Sequence, residues 1–244
     1  MQWTYSYRDF NQDVVTNPTQ PATLPPDYSW EDQRFAHLIN PLATGFAWAY
    51  RTARRVRVVG ADKLIPGAFV YANHTQPVGD VFLPRTWHLP VAIIAGAANR
   101  GVPLVGRYLA SGRALLLPST RQQYPAFARA LRHSHAAGTV IVVYPEAHVW
   151  PYYPGIRPFT AASLHYPVAL DAPVFTLTTT YEPRLFGRKP NLLQYIDGPF
   201  TATGKPKQRQ HQLWQAVQAQ LQLRAQQSTY TSVHYHRVKE ANHD

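Results

Sequence analysis

Residues 139–144 read Thr-Val-Ile-Val-Val-Tyr and are stopped by Pro145. Six residues are too few for a buried helix, and β-branched side chains favour an extended backbone. A strand with no polar alternation is apolar on both sides, so it belongs in a sheet covered on both faces. Further strand-like segments recur at 68–71, 91–95, 114–117, 174–181 and 192–196. Helical patterns lie between and after them. One covers 122–137, with Gly138 in the C-cap role. A second covers 159–170 and should break or kink near Pro167. A third, Gln-rich, covers 207–227 and sets Leu213, Val217 and Leu221 one above another. This alternation predicts one α/β domain whose largely parallel sheet is flanked by helices on both faces. Sites in such sheets form at the carboxyl ends of strands. That picks out the loops after Tyr71 and after Tyr144.

The domain is expected over 27–227. A short N-terminal extension with a Pro/Thr-rich linker (1–26) precedes it, and a polar, His-rich tail (228–244) follows. Asp27 or Ser29 offers an N-cap for a helix carrying Phe35, Leu38, Ile39, Leu42, Phe46, Ala49 and Tyr50 at helical spacing. Pro41 should kink or split that helix, and Arg51, Arg54, Arg55 and Arg57 follow at its end. Such a helix is a candidate to lie in a membrane interface; packing on the sheet would give the same periodicity. The longest run near the middle without a charged or strongly polar residue, 89–98, is half of what a bilayer span requires. Residues 1–17 carry Arg8, Asp9 and Asp13 and do not read as a signal peptide. Membrane contact is therefore expected to be peripheral. The net charge of +11 suggests an anionic partner, a merely soluble basic surface being the plain alternative. No zinc-finger, RNP or basic-zipper pattern favours nucleic acid. With no cysteine in the chain, disulfides, thiolate metal sites and a cysteine nucleophile are excluded, and a cytoplasmic setting fits.

The loop after Tyr71 holds Asn73, His74 and, six positions beyond the histidine, Asp80. An alcohol is a poor nucleophile until its proton is removed. A neutral imidazole suits that task and typically contributes about 10²–10⁴-fold. A carboxylate on the other ring nitrogen fixes the tautomer and stabilises the imidazolium. Pro77 and Gly79 permit the bend that would bring Asp80 back to His74. Read singly, the histidine is equally a hydrogen-bonded loop residue and the aspartate a helix cap. The second loop, Tyr144-Pro145-Glu146-Ala147-His148, puts a carboxylate at the same sheet edge. The following 150–154, Trp-Pro-Tyr-Tyr-Pro, suits an acyl pocket, an interfacial contact or a rigid Pro-bounded loop.

Four blocks in order resemble the glycerolipid and lysophospholipid acyltransferases, the family of bacterial 1-acylglycerol-3-phosphate acyltransferases. Asn73-His74 with Asp80 is similar to the family's Asn-His…Asp block. Residues 101–106 (Gly-Val-Pro-Leu-Val-Gly) and 111–117 (Ser-Gly-Arg-Ala-Leu-Leu-Leu) resemble the second block. Tyr144-Pro145-Glu146 is similar to the Phe-Pro-Glu-Gly-Thr-Arg block, and Pro158-Phe159 with Ala172-Pro173-Val174 resembles the fourth. Together they cover 68–182, about half the chain. The resemblance implies His74 as general base, Asp80 as its orienting partner, and Asn73 and Glu146 in an ordered acceptor site. It implies transfer of a fatty acyl group to a hydroxyl of a (lyso)glycerolipid or related lipid, with no metal or cofactor. The donor would be acyl-CoA, acyl-carrier protein or an acyl phosphate. The implied partner surface is an anionic membrane, met at the inner face of the cell membrane.

Two departures stand out. Five residues separate His74 from Asp80, where the family usually has four; Gly79 is a candidate for the extra one. The family's two phosphate-binding arginines fall at Val149 and near Ser119. Arg113, Arg121, Arg157 and His148 are candidates to replace them. These departures motivate an alternative: a non-catalytic lipid-binding, membrane-associated protein on the same scaffold. A hydrolase is a third reading, lowered by the lack of a Gly-x-Ser-x-Gly elbow. His133 and His135 do not share a helix face, and His234 with His236, on one side if the tail is a strand, are weak as a metal site without a carboxylate partner.

Overall fold

A computed structural model describes residues 3–15, 23–30, 36–101, 114–185 and 189–238. Its strands are β1 (Trp3–Tyr7), β2 (Arg57–Val59), β3 (Phe69–Ala72), β4 (Val91–Ala95), β5 (Ala114–Leu116), β6 (Val140–Val143), β7 (Val174–Glu182), β8 (Asn191–Phe200) and β9 (Val233–Arg237). Its α-helices are α1 (Ala36–Ala53), α2 (Gly79–Phe82), α3 (Tyr124–Ala136), α4 (His165–Leu170) and α5 (Pro206–Ala225).

The main sheet runs β2-β8-β7-β3-β6-β4-β5. From β7 to β5 every pairing is parallel, and β8 is antiparallel to β7. β2 pairs in parallel with β8, so it too runs against the central block. The expected mixed α/β domain with a largely parallel sheet is what forms. Strand alternation sorts the core into two layers. Phe69, Tyr71, Ile141 and Val143 face one way, with Phe127 and Leu131 of α3 and Leu213, Val217 and Leu221 of α5. Val70, Ala72, Val140 and Val142 face the other, with Leu64, Trp87, Phe175 and Leu177. Each of these large side chains, once buried, contributes about 1.5–3 kcal/mol.

Two proline expectations meet different outcomes. Pro41 does not split α1, which is continuous from Ala36 to Ala53. Arg85 braces the turn beside it, donating to Asn40 O at 3.2 Å and to Thr44 Oγ1 at 3.2 Å. The 159–170 segment becomes a 3-10 turn, Ala161–Leu164, leading into α4. Pro167 sits in the first turn of α4, where a missing N–H costs nothing. Gly138 ends α3 as read from sequence. Its φ of 74° is open to glycine, and its N–H reaches His135 O at 2.9 Å.

The segments before 27 and after 227 contribute one strand each to a second sheet. β1 pairs in parallel with β9, with Tyr5 opposite Tyr235. His234 and His236 share the exposed side of β9. Among the described residues no helix is long and apolar enough to cross a membrane.

Candidate functional site

β3 and β6 are neighbours at the centre of the sheet, and both loops singled out above leave their carboxyl ends. In the first loop the chain turns back on itself within seven residues, and Asp80 N–H closes the turn on Gln76 O at 2.8 Å. The turn needs Gly79, because a Cβ there would lie 2.9 Å from the Gln76 Cβ. Asp80 is thereby placed in the first turn of α2, 2% exposed, with its carboxylate facing back toward the loop. Its Oδ2 accepts main-chain N–H groups from Thr75 at 2.9 Å and Gln76 at 2.8 Å. The same oxygen lies 2.8 Å from His74 Nδ1.

That arrangement settles the imidazole tautomer by argument. An oxygen already receiving two N–H bonds is an acceptor, so Nδ1 must carry the proton and donate it. In the neutral ring Nε2 is then the nitrogen with the lone pair. The His74 side chain is 19% exposed, so the ring reaches solvent on one side. Its flat face is covered by Tyr144, with ring centroids 4.4 Å apart and planes 26° from parallel.

The second loop supports the first from behind. Glu146 Oε2 accepts the His74 main-chain N–H at 3.3 Å and Arg157 Nη2 at 3.1 Å. Glu146 Oε1 accepts the Arg157 main-chain N–H at 3.0 Å. The two side chains are essentially sealed from solvent, and burial raises the Glu146 carboxyl above its usual range while Arg157 and the N–H donors pull it down. Burial likewise lowers Arg157, against the pull of Glu146. Arg157 also donates to the main-chain oxygens of His148 and Phe10 and lies over the Trp150 ring at 4.8 Å. The loop is stitched to the first by Trp150 N–H on His74 O and Tyr152 N–H on Thr75 O, both 2.9 Å.

The structure brings His74, Asp80, Glu146, Arg157 and His148 together on adjacent loops. Asn73 lies beside them, but its amide is spent on β7: it donates to Thr179 O at 3.1 Å and accepts from Thr179 N at 2.8 Å. His148 is partly exposed, with Nδ1 3.4 Å from Asp13 Oδ2. Arg121 is exposed in the 3-10 turn after β5, three strands away from β3 in the sheet. Arg113 lies outside the described residues. Trp150 is fully buried, so the aromatic stretch 150–154 acts first as internal packing. Sequence reasoning gave Tyr144 no role at the site beyond its place in the Tyr-Pro-Glu block. The one available signal for Tyr144 was an aromatic directly before Pro145-Glu146. No group of three or more His, Asp or Glu suited to a metal is found among the described residues.

No sequence-family model matches the chain, and no curated protein does either. Among solved structures, the fold is similar to the crystal structure of the 1-acyl-sn-glycerophosphate (LPA) acyltransferase PlsC from Thermotoga maritima. The TM-score is 0.57 at 18% sequence identity, covering 79% of this chain and 82% of that one. A likeness at that identity establishes the shared fold.

Proposed function

We propose that the chain is an acyltransferase in which His74 is the general base and Asp80 its orienting partner. One observation carries the reading: a single Asp80 oxygen holds His74 Nδ1 and two main-chain N–H groups, so that in the neutral ring Nε2 is the nitrogen with the lone pair. The acceptor hydroxyl attacks the carbonyl carbon of an acyl thioester or acyl phosphate as its proton passes to Nε2. The tetrahedral adduct then collapses, and the departing thiolate or phosphate takes that proton back from the imidazolium. The scheme draws on no metal or cofactor. Acyl-CoA, acyl-carrier protein and acyl phosphate all satisfy it as donors. The fold shared with the PlsC enzyme favours a (lyso)glycerolipid or related lipid as acceptor.

In this scheme Glu146 and Arg157 order the loop, because each already satisfies the other. Arg113, Arg121 and His148 remain the candidates to meet an anionic headgroup. The lipid would be met at an anionic membrane surface, on the cytoplasmic side. The outward residues of α1 support this: Leu42 is 76% exposed and Trp48 49%, and Arg51, Arg54, Arg55 and Arg57 lie at or beyond its end.

The test is incubation with a labelled acyl donor and a mixed lipid extract, followed by mass identification of the product. His74→Ala should lower the transfer rate by at least about 10²-fold while the protein stays folded. A fully active His74→Ala protein would overturn the assigned base. Vesicle binding without turnover across donors and acceptors would favour the non-catalytic lipid-binding alternative, which the displaced arginine positions motivate.

A further inference from the structure

Tyr144 touches both halves of the His74–Asp80 pair. Its ring stacks on the imidazole. Its phenol donates to the Asp80 main-chain carbonyl at 2.6 Å. It follows β6 directly, and β6 is held to β3 up to the Tyr71–Val143 pairing. The ring is therefore placed by the central sheet and not by a loop. Burial pushes the phenol well above its usual value, with the Asp80 charge adding to the effect, so it stays a proton donor.

The turn it touches carries five residues between His74 and Asp80. The Asp80 N–H to Gln76 O bond and the close approach at Gly79 fold that turn. Both act inside the turn, and neither ties it to the sheet. Tyr144 does, through one hydroxyl on Asp80 and one ring face on His74, alongside the Gln76 amide that donates to the Tyr181 hydroxyl of β7 at 3.3 Å. We propose that Tyr144 is a positioning residue for acyl transfer: its hydroxyl fixes Asp80 from the main chain, and its ring braces the imidazole that Asp80 orients. The proposal rests on the acyltransferase reading. The ring has a second consequence. When Nε2 takes the acceptor's proton, the imidazolium lies within cation–π range of an aromatic face.

Two substitutions in the full chain separate these contributions. Tyr144→Phe keeps the ring and loses the hydroxyl; Tyr144→Leu loses both. With folding verified by circular dichroism, Tyr144→Phe should lower kcat by about 10- to 100-fold and leave the donor KM unchanged. Tyr144→Leu should fall further. A second readout needs no turnover: the His74 Nδ1–H proton in histidine-¹⁵N-labelled protein, assigned by its loss in His74→Ala. It should be downfield and protected in the parent protein, and shifted upfield with faster exchange in Tyr144→Phe. A Tyr144→Phe protein with the parent kcat and the parent Nδ1–H signal would overturn the role. So would a loss of rate that only follows a loss of folded protein while the Nδ1–H signal stays put. If the parent protein transfers no acyl group from any donor, the functional reading fails by itself. The Nδ1–H comparison then still decides whether Tyr144 holds the pair.

Discussion

Asp80 and Glu146 perform matched tasks on the two sides of one histidine. Asp80 holds the ring through Nδ1. Glu146 holds the backbone of the same residue through its N–H. Their environments differ in what balances the charge. Asp80 Oδ2 is met by N–H dipoles and an imidazole, whereas Glu146 is met by the guanidinium of Arg157. A buried carboxylate whose cation is removed is left uncompensated, which costs about 3–5 kcal/mol. Arg157→Leu should therefore destabilise the fold by about that much. The loss should also depend on pH. Glu146 sits above its unfolded value because burial outweighs Arg157, and losing Arg157 moves it further up. A carboxyl raised in the folded state contributes stability that is fully present below its unfolded value and lost as pH rises through its folded one. Urea midpoints at about pH 8 and about pH 5 should thus show Arg157→Leu regaining part of its deficit on acidification. A deficit that is constant across that range would place the Arg157 contribution in packing against Trp150.

At the level of elements, legibility followed the amount of apolar pattern each one carries. β6 announced itself because a central strand buried on both faces has nothing but apolar residues to show. β4 and α5 were readable for similar reasons: one is a clean apolar run, the other stacks Leu213, Val217 and Leu221 on one face. β2 has three residues at a sheet edge, partly exposed, and left no comparable trace. The antiparallel setting of β8 was equally hidden, since strand direction depends on where the chain returns and not on its composition. In the candidate site, the nearness of His74, Asp80 and Glu146 was legible because the loops after neighbouring parallel strands gather at one edge of the sheet. The closing of Arg157 onto Glu146 was not, because a cation in sequence looks the same whether it meets a ligand or a buried carboxylate. α1 shows what periodicity leaves open. Ala43 and Ala47 are buried, while Leu42, Phe46 and Trp48 face outward. Phe46 leans on Phe82 at 4.8 Å, and Arg51 lies over Trp48 at 4.9 Å, so the outward face is apolar with a basic end. If that face meets lipid, the protein should bind anionic vesicles and release them as salt rises. Replacing Leu42 and Trp48 together by serine should weaken vesicle binding at least about 10-fold at low salt, since each apolar side chain withdrawn from water contributes on the order of 1–3 kcal/mol. Cosedimentation measures this, and unchanged binding by the double variant would move lipid contact off α1.

Over the whole molecule, the first and last described strands meet beside the site. β1 and β9 pair, and Tyr235 stacks on Trp150 with centroids 5.0 Å apart and planes 4° from parallel. Tyr7, Phe10 and Tyr153 surround the same indole. The indole N–H donates to Gln12 O at 3.0 Å, and the Tyr235 hydroxyl donates to Pro151 O at 2.8 Å. Trp150 in turn bonds the His74 carbonyl, so a chain of contacts runs from the two-stranded ribbon to the backbone of the proposed base. Both strands are needed for it, and neither could be read from sequence as part of a site, because a two-stranded ribbon is marginal until it packs on something. Tyr235→Ala removes three ring contacts and one hydrogen bond, and should cost about 3 kcal/mol. Its local signature is more informative than the total. Hydrogen exchange should speed up together at the amides of β1 and at Trp150 and Tyr152, while β6 keeps its protection. Loss of protection in β1 alone would mean that the ribbon rests on the site loop without holding it. Loss at Trp150 and Tyr152 as well would mean that two segments more than two hundred residues apart set the backbone position of His74.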